Sequence, residues 1–200
     1  MAINKGEVLL RIARASIAEA LSQPYETIDD EIKNTSWLQQ KAASFVTLTQ
    51  HGQLRGCIGT LQAHRPLLED VSSNARAAAF KDTRFSPLTA DELADTEIEV
   101  SLLSAMQDMQ FSDEQDALAQ LQPAVDGLVF EHGHHRSTFL PQVWEQLPER
   151  KDFVTHLKQK AGLPADFWAD DVRLARYTVS KWKERDLINQ QEDTDEGISA

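Results

Sequence analysis

A single cysteine, Cys57, stands in a chain of 200 residues. That scarcity excludes an internal disulfide framework and points to a reducing compartment, so a cytoplasmic protein is expected. Long apolar runs are missing as well. No stretch approaches the roughly 20 residues a membrane span needs. The opening segment MAINKGEVLLRIARASIAEA interrupts its apolar pattern with Glu7 and Arg11, unlike a secretory signal. No membrane association is expected. Basic clusters are also lacking: 20 Lys and Arg face 32 Asp and Glu, a formal net charge of −12, which argues against nucleic-acid binding. There is no GxGxxG or Walker pattern, no internal repeat, and no nucleophile elbow around Ser137 and Thr138.

What is present is an ordinary soluble composition, 41% hydrophobic and 26% charged, with alternating strand and helix signals. Leu9, Ile12, Ala13, Ile17 and Leu21 recur at helical spacing over residues 6–21. SFVTLT and LRGCIGTL are strand-like runs joined through Gly52, a hairpin signal. Pro66 opens a helix carrying Leu68, Val71, Ala75 and Ala78 on one face. Thr89 and Glu92 read as a capping box for a short helix, TADELA. TEIEVSLLS alternates as a half-buried strand whose outer face carries Glu97 and Glu99. Ser112 to Gln115 reads as a second capping box. LVFEHGHHRSTFL is a hairpin with its tip at Gly133, KDFVTHLKQKAGL a helix closed by Gly162, and VRLARYTVSKW a strand whose change of parity implies a bulge or twist. This order predicts an α+β fold, an antiparallel sheet flanked by helices. A single domain over 1–184 is expected, with an acidic flexible tail over 185–200.

The hexapeptide LRGCIG carries the chemical question. Regular alternation puts Arg55 and Cys57 on one face, where a guanidinium favours thiolate over thiol. Gly56 and Gly59 weaken a strand and remove side chains where a helix, a second backbone or a ligand comes close. The alternative is a small buried thiol with glycines that admit a helix.

LRGCIGTL, NARAAAFKDTRFSPLTADEL, EIEVSLLS, RSTFLPQVWEQ and KAGL, in that order, resemble the AMMECR1 family, which includes protein A of AmmeMemoRadiSam systems. The resemblance spans about Phe45 to Tyr177. It implies an α+β fold with a larger part from both chain ends and a smaller lobe from the middle, within about 62–95. It also implies partnership with a Memo-like protein and a radical S-adenosylmethionine enzyme, and brings no settled reaction. Leu54 to Gly59 match its hexapeptide, Asp82, Arg84 and Phe85 its D-x-R-F element, and Thr138 to Trp144 its TFLPQVW element. Two departures stand out: HGHHRS replaces a glycine-rich turn, and LKQKAGL lacks a cysteine often found there, which removes a second-thiol mechanism within one chain.

The resulting expectation is an enzyme or enzyme accessory with a groove centred on Cys57. Arg55 keeps the thiol ionised, and Gly56, Gly59, Arg84, Arg136 and Thr138 contact an unknown small molecule. Arginines suit such a role because they grip carboxylate or phosphate bidentately. The alternative is a non-catalytic interaction module in which LRGCIG is a packing motif and an exposed Trp144 region docks a partner. No cofactor is expected. His132, His134 and His135 suggest a metal through their spacing, but a hairpin tip explains them more simply.

Overall fold

The computed structural model describes residues 4–187, which fall into two compact units: residues 4–103 with 180–187, and residues 104–179. The principal elements in chain order are α1 (Lys5–Ala20), β1 (Ser44–Gln50), β2 (Gln53–Gly59), α2 (Leu67–Phe80), β3 (Thr96–Leu103), β4 (Gln107–Asp108), α3 (Glu114–Gln120), β5 (Gly127–His132), β6 (His135–Phe139), α4 (Arg150–Lys160), β7 (Arg173–Tyr177) and β8 (Val179–Lys183). Helices and antiparallel sheets make this an α+β protein.

In the first unit the strand order is β8–β3–β1–β2. Asn4 caps α1 by accepting from the N–H groups of Gly6 and Glu7, which meets two of the donors a helix start leaves open. The α1 side chains Leu9, Ile12, Ala13 and Ile17 are buried, as are Val71, Ala75, Ala78 and Ala79 of α2. Both helices share one core with Val46, Leu48, Ile98 and Val100 of the sheet. The β1–β2 hairpin turns through His51 and Gly52, both at positive φ (50° and 78°), the geometry that suits a tight hairpin's twist. Beneath it, the fully buried carboxylate of Asp70 accepts from the Ser44 N–H and hydroxyl, Thr60, Asn74 and Arg65 at 2.6–3.0 Å. That network ties the start of β1, the residue after β2 and the start of α2 together, with every lone pair used.

The second unit has strand order β4–β7–β5–β6. Leu128 and Phe130 of β5 and Leu174 of β7 meet Phe153, Val154 and Leu157 of α4 in its core. Trp144 stacks on Phe153 with ring centroids 3.7 Å apart, and its indole N–H donates to the Asp126 carbonyl at 2.7 Å. Lys158 is also buried; its ammonium donates to Glu114 and to the Phe167 carbonyl, so its charge and two of its protons have partners.

Several expectations change. Residues 62–95 do not form a smaller lobe, because the apolar face of α2 is consumed by the first unit's own sheet; the second compact unit is 104–179. TADELA forms turns rather than a helix, although Glu92 still accepts from the Thr89 N–H and hydroxyl. The second cap is Asp113, which accepts from Asp116 N–H. VRLARYTVSKW is two strands: β7 ends at Tyr177 and β8 joins the other sheet. The Tyr177 ring lies over Gly127, where a Cβ would be 2.4 Å from it. Of the expected tail, Arg185 is ion-paired with Glu97, and 188–200 lie outside the described residues.

Candidate functional site

Cys57 sits half-buried on β2, the edge strand of the first sheet. Its neighbour on β1 is Thr47, whose hydroxyl donates to the sulfur at 3.4 Å. The backbone of Cys57 faces the open edge, and a loop after α2 meets it there. The Cys57 N–H donates to Asp82 Oδ2 at 2.9 Å. Arg84 donates through Nε and Nη2 to both oxygens of that same carboxylate at 2.9 and 2.7 Å, and Nη2 reaches the Cys57 carbonyl at 3.4 Å. Asp82 and Arg84 thus occupy the hydrogen-bonding groups that an added strand would need, which blunts the edge. Their partnership also sets charge. Arg84, then the Cys57 N–H, holds the Asp82 carboxyl well below the usual carboxylate range. Asp82 chiefly, and the Cys57 sulfur to a lesser degree, raise the Arg84 guanidinium above the ordinary arginine value. Arg84 remains 54% exposed, with its charged group 5.4 Å from the Phe85 ring centre.

Arg55 is engaged with a partner of its own, Glu92. The β1–β2 register shifts between Leu48 and Thr49, which pair with Gly56 and Leu54, so Arg55 is the extra residue of a bulge and the simple alternation fails. Its side chain, only 11% exposed, pairs with Glu92 through three contacts of 3.2–3.3 Å. The Thr89 groups, ahead of Arg55, keep Glu92 below its ordinary range. Nor are the two glycines open to a ligand. A Cβ on Gly56 would lie 2.2 Å from the Ala78 carbonyl of α2, and one on Gly59 would lie 2.2 Å from the Phe45 ring. The protein's own atoms fill both spaces.

Arg136 and Thr138 belong to the second unit. Arg136 pairs with Glu131 at 2.6 Å. The Thr138 hydroxyl lies 3.1 Å from the Tyr177 phenol, which itself donates to the Phe139 carbonyl; burial pushes that phenol up. Trp144 is 3% exposed, so it is a core residue and not a docking anchor. His132 lies 3.0 Å from Asp171, and His135 shares a hydrogen with the Ala161 carbonyl. Among the described residues no group of three or more His, Cys, Asp or Glu is placed to hold a metal ion. Glu97 and Glu99 pair with Arg185 and Lys183, as an outer sheet face leads one to expect.

Reasoning from the sequence misses the buried Asp70 network and the buried Lys158. Asp70 and Asn74 carry the one available signal, polar residues at i, i+4 on the otherwise apolar face of α2. Among the described residues, no helix is long and apolar enough to cross a membrane.

Helix-backed antiparallel sheets, with a half-buried thiol on the edge strand of one, define the structural class. The AMMECR1 family model matches residues 10–182, and the chain belongs to that family. A protein of Saccharolobus islandicus is 37% identical over 179 residues, covering 86% of this chain and 78% of the relative. One from Methanothermobacter thermautotrophicus is 33% identical over 184 residues, covering 90% and 95%. The crystal structure of an uncharacterized protein from Pyrococcus horikoshii aligns with a TM-score of 0.72 at 29% identity, covering 90% of this chain and 91% of that one.

Proposed function

We propose that Cys57 is the working group of this AMMECR1 protein, a reactive or ligand-contacting thiol in an enzyme or enzyme accessory, with Arg84 rather than Arg55 as its cationic neighbour. The observation that carries this reading is the clamp described above: Asp82 fixes Arg84 by two hydrogen bonds while holding the Cys57 N–H. A fixed guanidinium can hold an anionic group brought up beside the thiol. The partners, a Memo-like protein and a radical S-adenosylmethionine enzyme, follow from the family resemblance alone.

Brief iodoacetamide labelling of native protein, read by mass spectrometry against an unfolded control, tests this reading. Cys57 is expected to label in the native protein at a rate comparable with the unfolded chain's, and Arg84→Gln to slow that labelling severalfold. Native labelling far slower than the unfolded control and indifferent to Arg84→Gln would end the proposal.

A second reading has its own support. Gly56 and Gly59 are filled by the Ala78 carbonyl and the Phe45 ring, which favours LRGCIG as a packing motif in a non-catalytic interaction module. Leu54, 44% exposed at the motif's start, is then the docking candidate. Co-purification with a Memo-like partner that survives Cys57→Ser and is lost on Leu54→Asp would favour this reading over the first.

A further inference from the structure

The second sheet carries a cavity of about 450 Å³ lined entirely by residues of that unit, a volume in the range of small-molecule sites. Its floor follows from strand register. Val129 of β5 pairs with Ala175 of β7, and Ala175 with Asp108 of the edge strand β4, so the three side chains share one face as a row that ends in a carboxylate. Met106, just before β4, and Phe111, soon after it, add apolar wall. The lining carries three carboxylates, Asp108, Glu131 and Asp170, against two guanidinia, Arg136 and Arg173. Glu131 pairs in register with both arginines and binds each, at 2.6 and 3.0 Å; no further partner of either adds positive charge. Among the described residues, the Asp108 and Asp170 side chains have no hydrogen-bond or ion-pair partner.

We propose that this cavity binds a small organic cation with a flat apolar body, such as an arylmethylammonium. The small residues Val129 and Ala175 leave room for a ring to lie against the sheet. Phe111 offers an aromatic ring, whose electron-rich face attracts cations, and Met106 a polarizable sulfur. Asp108, at the end of the floor row, and Asp170, on the loop before β7, supply carboxylates that no cation of the protein neutralises. The two arginines oppose a cation weakly, because Glu131 already holds them both. An anion, in contrast, would have to displace Glu131 and face two unpaired carboxylates. This site is separate from the Cys57 proposal and does not depend on it.

Naphthylmethylammonium is the probe, since it joins an aromatic body to one positive charge and its own fluorescence reports binding. Titrated into the full chain, it is expected to bind saturably with one bound per protein. Naphthylmethanol, the same body without the charge, should bind at least roughly tenfold less well, and naphthoate less well still, the first step being one charge contact. The double substitution Asp108→Asn and Asp170→Asn, at two exposed positions, should weaken the ammonium by roughly tenfold or more and leave the alcohol unchanged. Ala175→Phe, which fills the floor, should abolish binding of both. If that variant fails to fold by circular dichroism, Met106→Lys, at an exposed position, sets a competing ammonium on the wall and should weaken the probe alone. Glu26→Gln removes a carboxylate from a separate groove of the first unit and should change nothing, which distinguishes the cavity from the chain's overall negative charge. Ammonium binding that survives the double substitution, or that falls as far on Glu26→Gln, overturns the proposal. Equal binding of the alcohol or of naphthoate, or no saturation below about 1 mM, does so too.

Discussion

The two sheets use glycine alike but differ in the charge they bury. In the first, Gly56 and Gly59 lie within a strand and the Ala78 carbonyl and the Phe45 ring fill the space a side chain would need; in the second, the Tyr177 ring fills that space at Gly127 of β5. Each also turns a hairpin through an open glycine at positive φ, Gly52 at 78° and Gly133 at 54°, where a Cβ would meet nothing within 4 Å. Among the described residues, the charged side chains buried in the first unit are anions, Asp70 and Asp82, each held by donors; the second buries the Asp126 anion, which accepts from the Gln122 N–H, and also a cation, Lys158, against Glu114 and a carbonyl. The difference separates architecture from chemistry within the hexapeptide. Gly56 lets strand and helix meet and Gly59 admits the Phe45 ring, while Cys57 between them is left half-buried beside a fixed arginine.

Two substitutions strike the cores of the two units with the largest expected effects. Trp144→Ala removes the Phe153 stack and orphans the Asp126 carbonyl in the second unit; denaturant unfolding should show a loss of about 3–5 kcal/mol. A loss under about 1 kcal/mol would mean that Trp144 is a surface residue after all, and the docking reading would return. Gly56→Ala drives a methyl into the Ala78 carbonyl of the first unit. A backbone atom on a helix cannot swing aside, so a loss of about 3 kcal/mol is expected. A neutral result would show free space at Gly56 and revive a ligand there.

Local signals in the sequence carried much of the fold. Helical spacing and Pro66 marked α1 and α2, Gly52 and Gly133 marked the hairpins, and Gly162, at φ 83°, marked the end of α4. What stayed hidden depends on partners distant in the chain. Nothing near LRGCIG announces the bulge that turns Arg55 to Glu92, 37 residues away. The D-x-R-F element was visible as a motif, but its grip on the Cys57 backbone 25 residues earlier exists only once α2 has folded back along β2. Parity in VRLARYTVSKW showed a break but not its cause, since a strand leaving one sheet for another looks locally like a bulge.

The clamp itself has a pH signature. Asp82 has its carboxyl held below the ordinary range by Arg84 and then by the Cys57 N–H. Its stabilisation is therefore fully present above the unfolded carboxylate value of about 4 and is lost as pH falls below that toward the folded value. Asp82→Asn cannot ionise and should lose about 1–2 kcal/mol at pH 7, a figure moderated by the exposure of Arg84. Thermal melts of the two proteins should diverge most at neutral pH and converge on acidification below about pH 4. A gap that stays constant down to pH 3 would remove the charge from the clamp and leave only shape.

The smallest effect sharpens the glycine contrast. At Gly133 the obstacle to a side chain is backbone conformation, not space. Gly133→Ala should therefore cost only about 1 kcal/mol, and Gly133→Asn should recover most of it, because asparagine tolerates left-handed geometry. At Gly56, where φ is ordinary and the helix carbonyl is the obstacle, asparagine should be worse than alanine. Measuring both pairs by chemical denaturation distinguishes the two causes. If asparagine rescued position 56 or harmed position 133, the strand glycine and the turn glycine would have exchanged roles, and the steric account of the hexapeptide would fail with them.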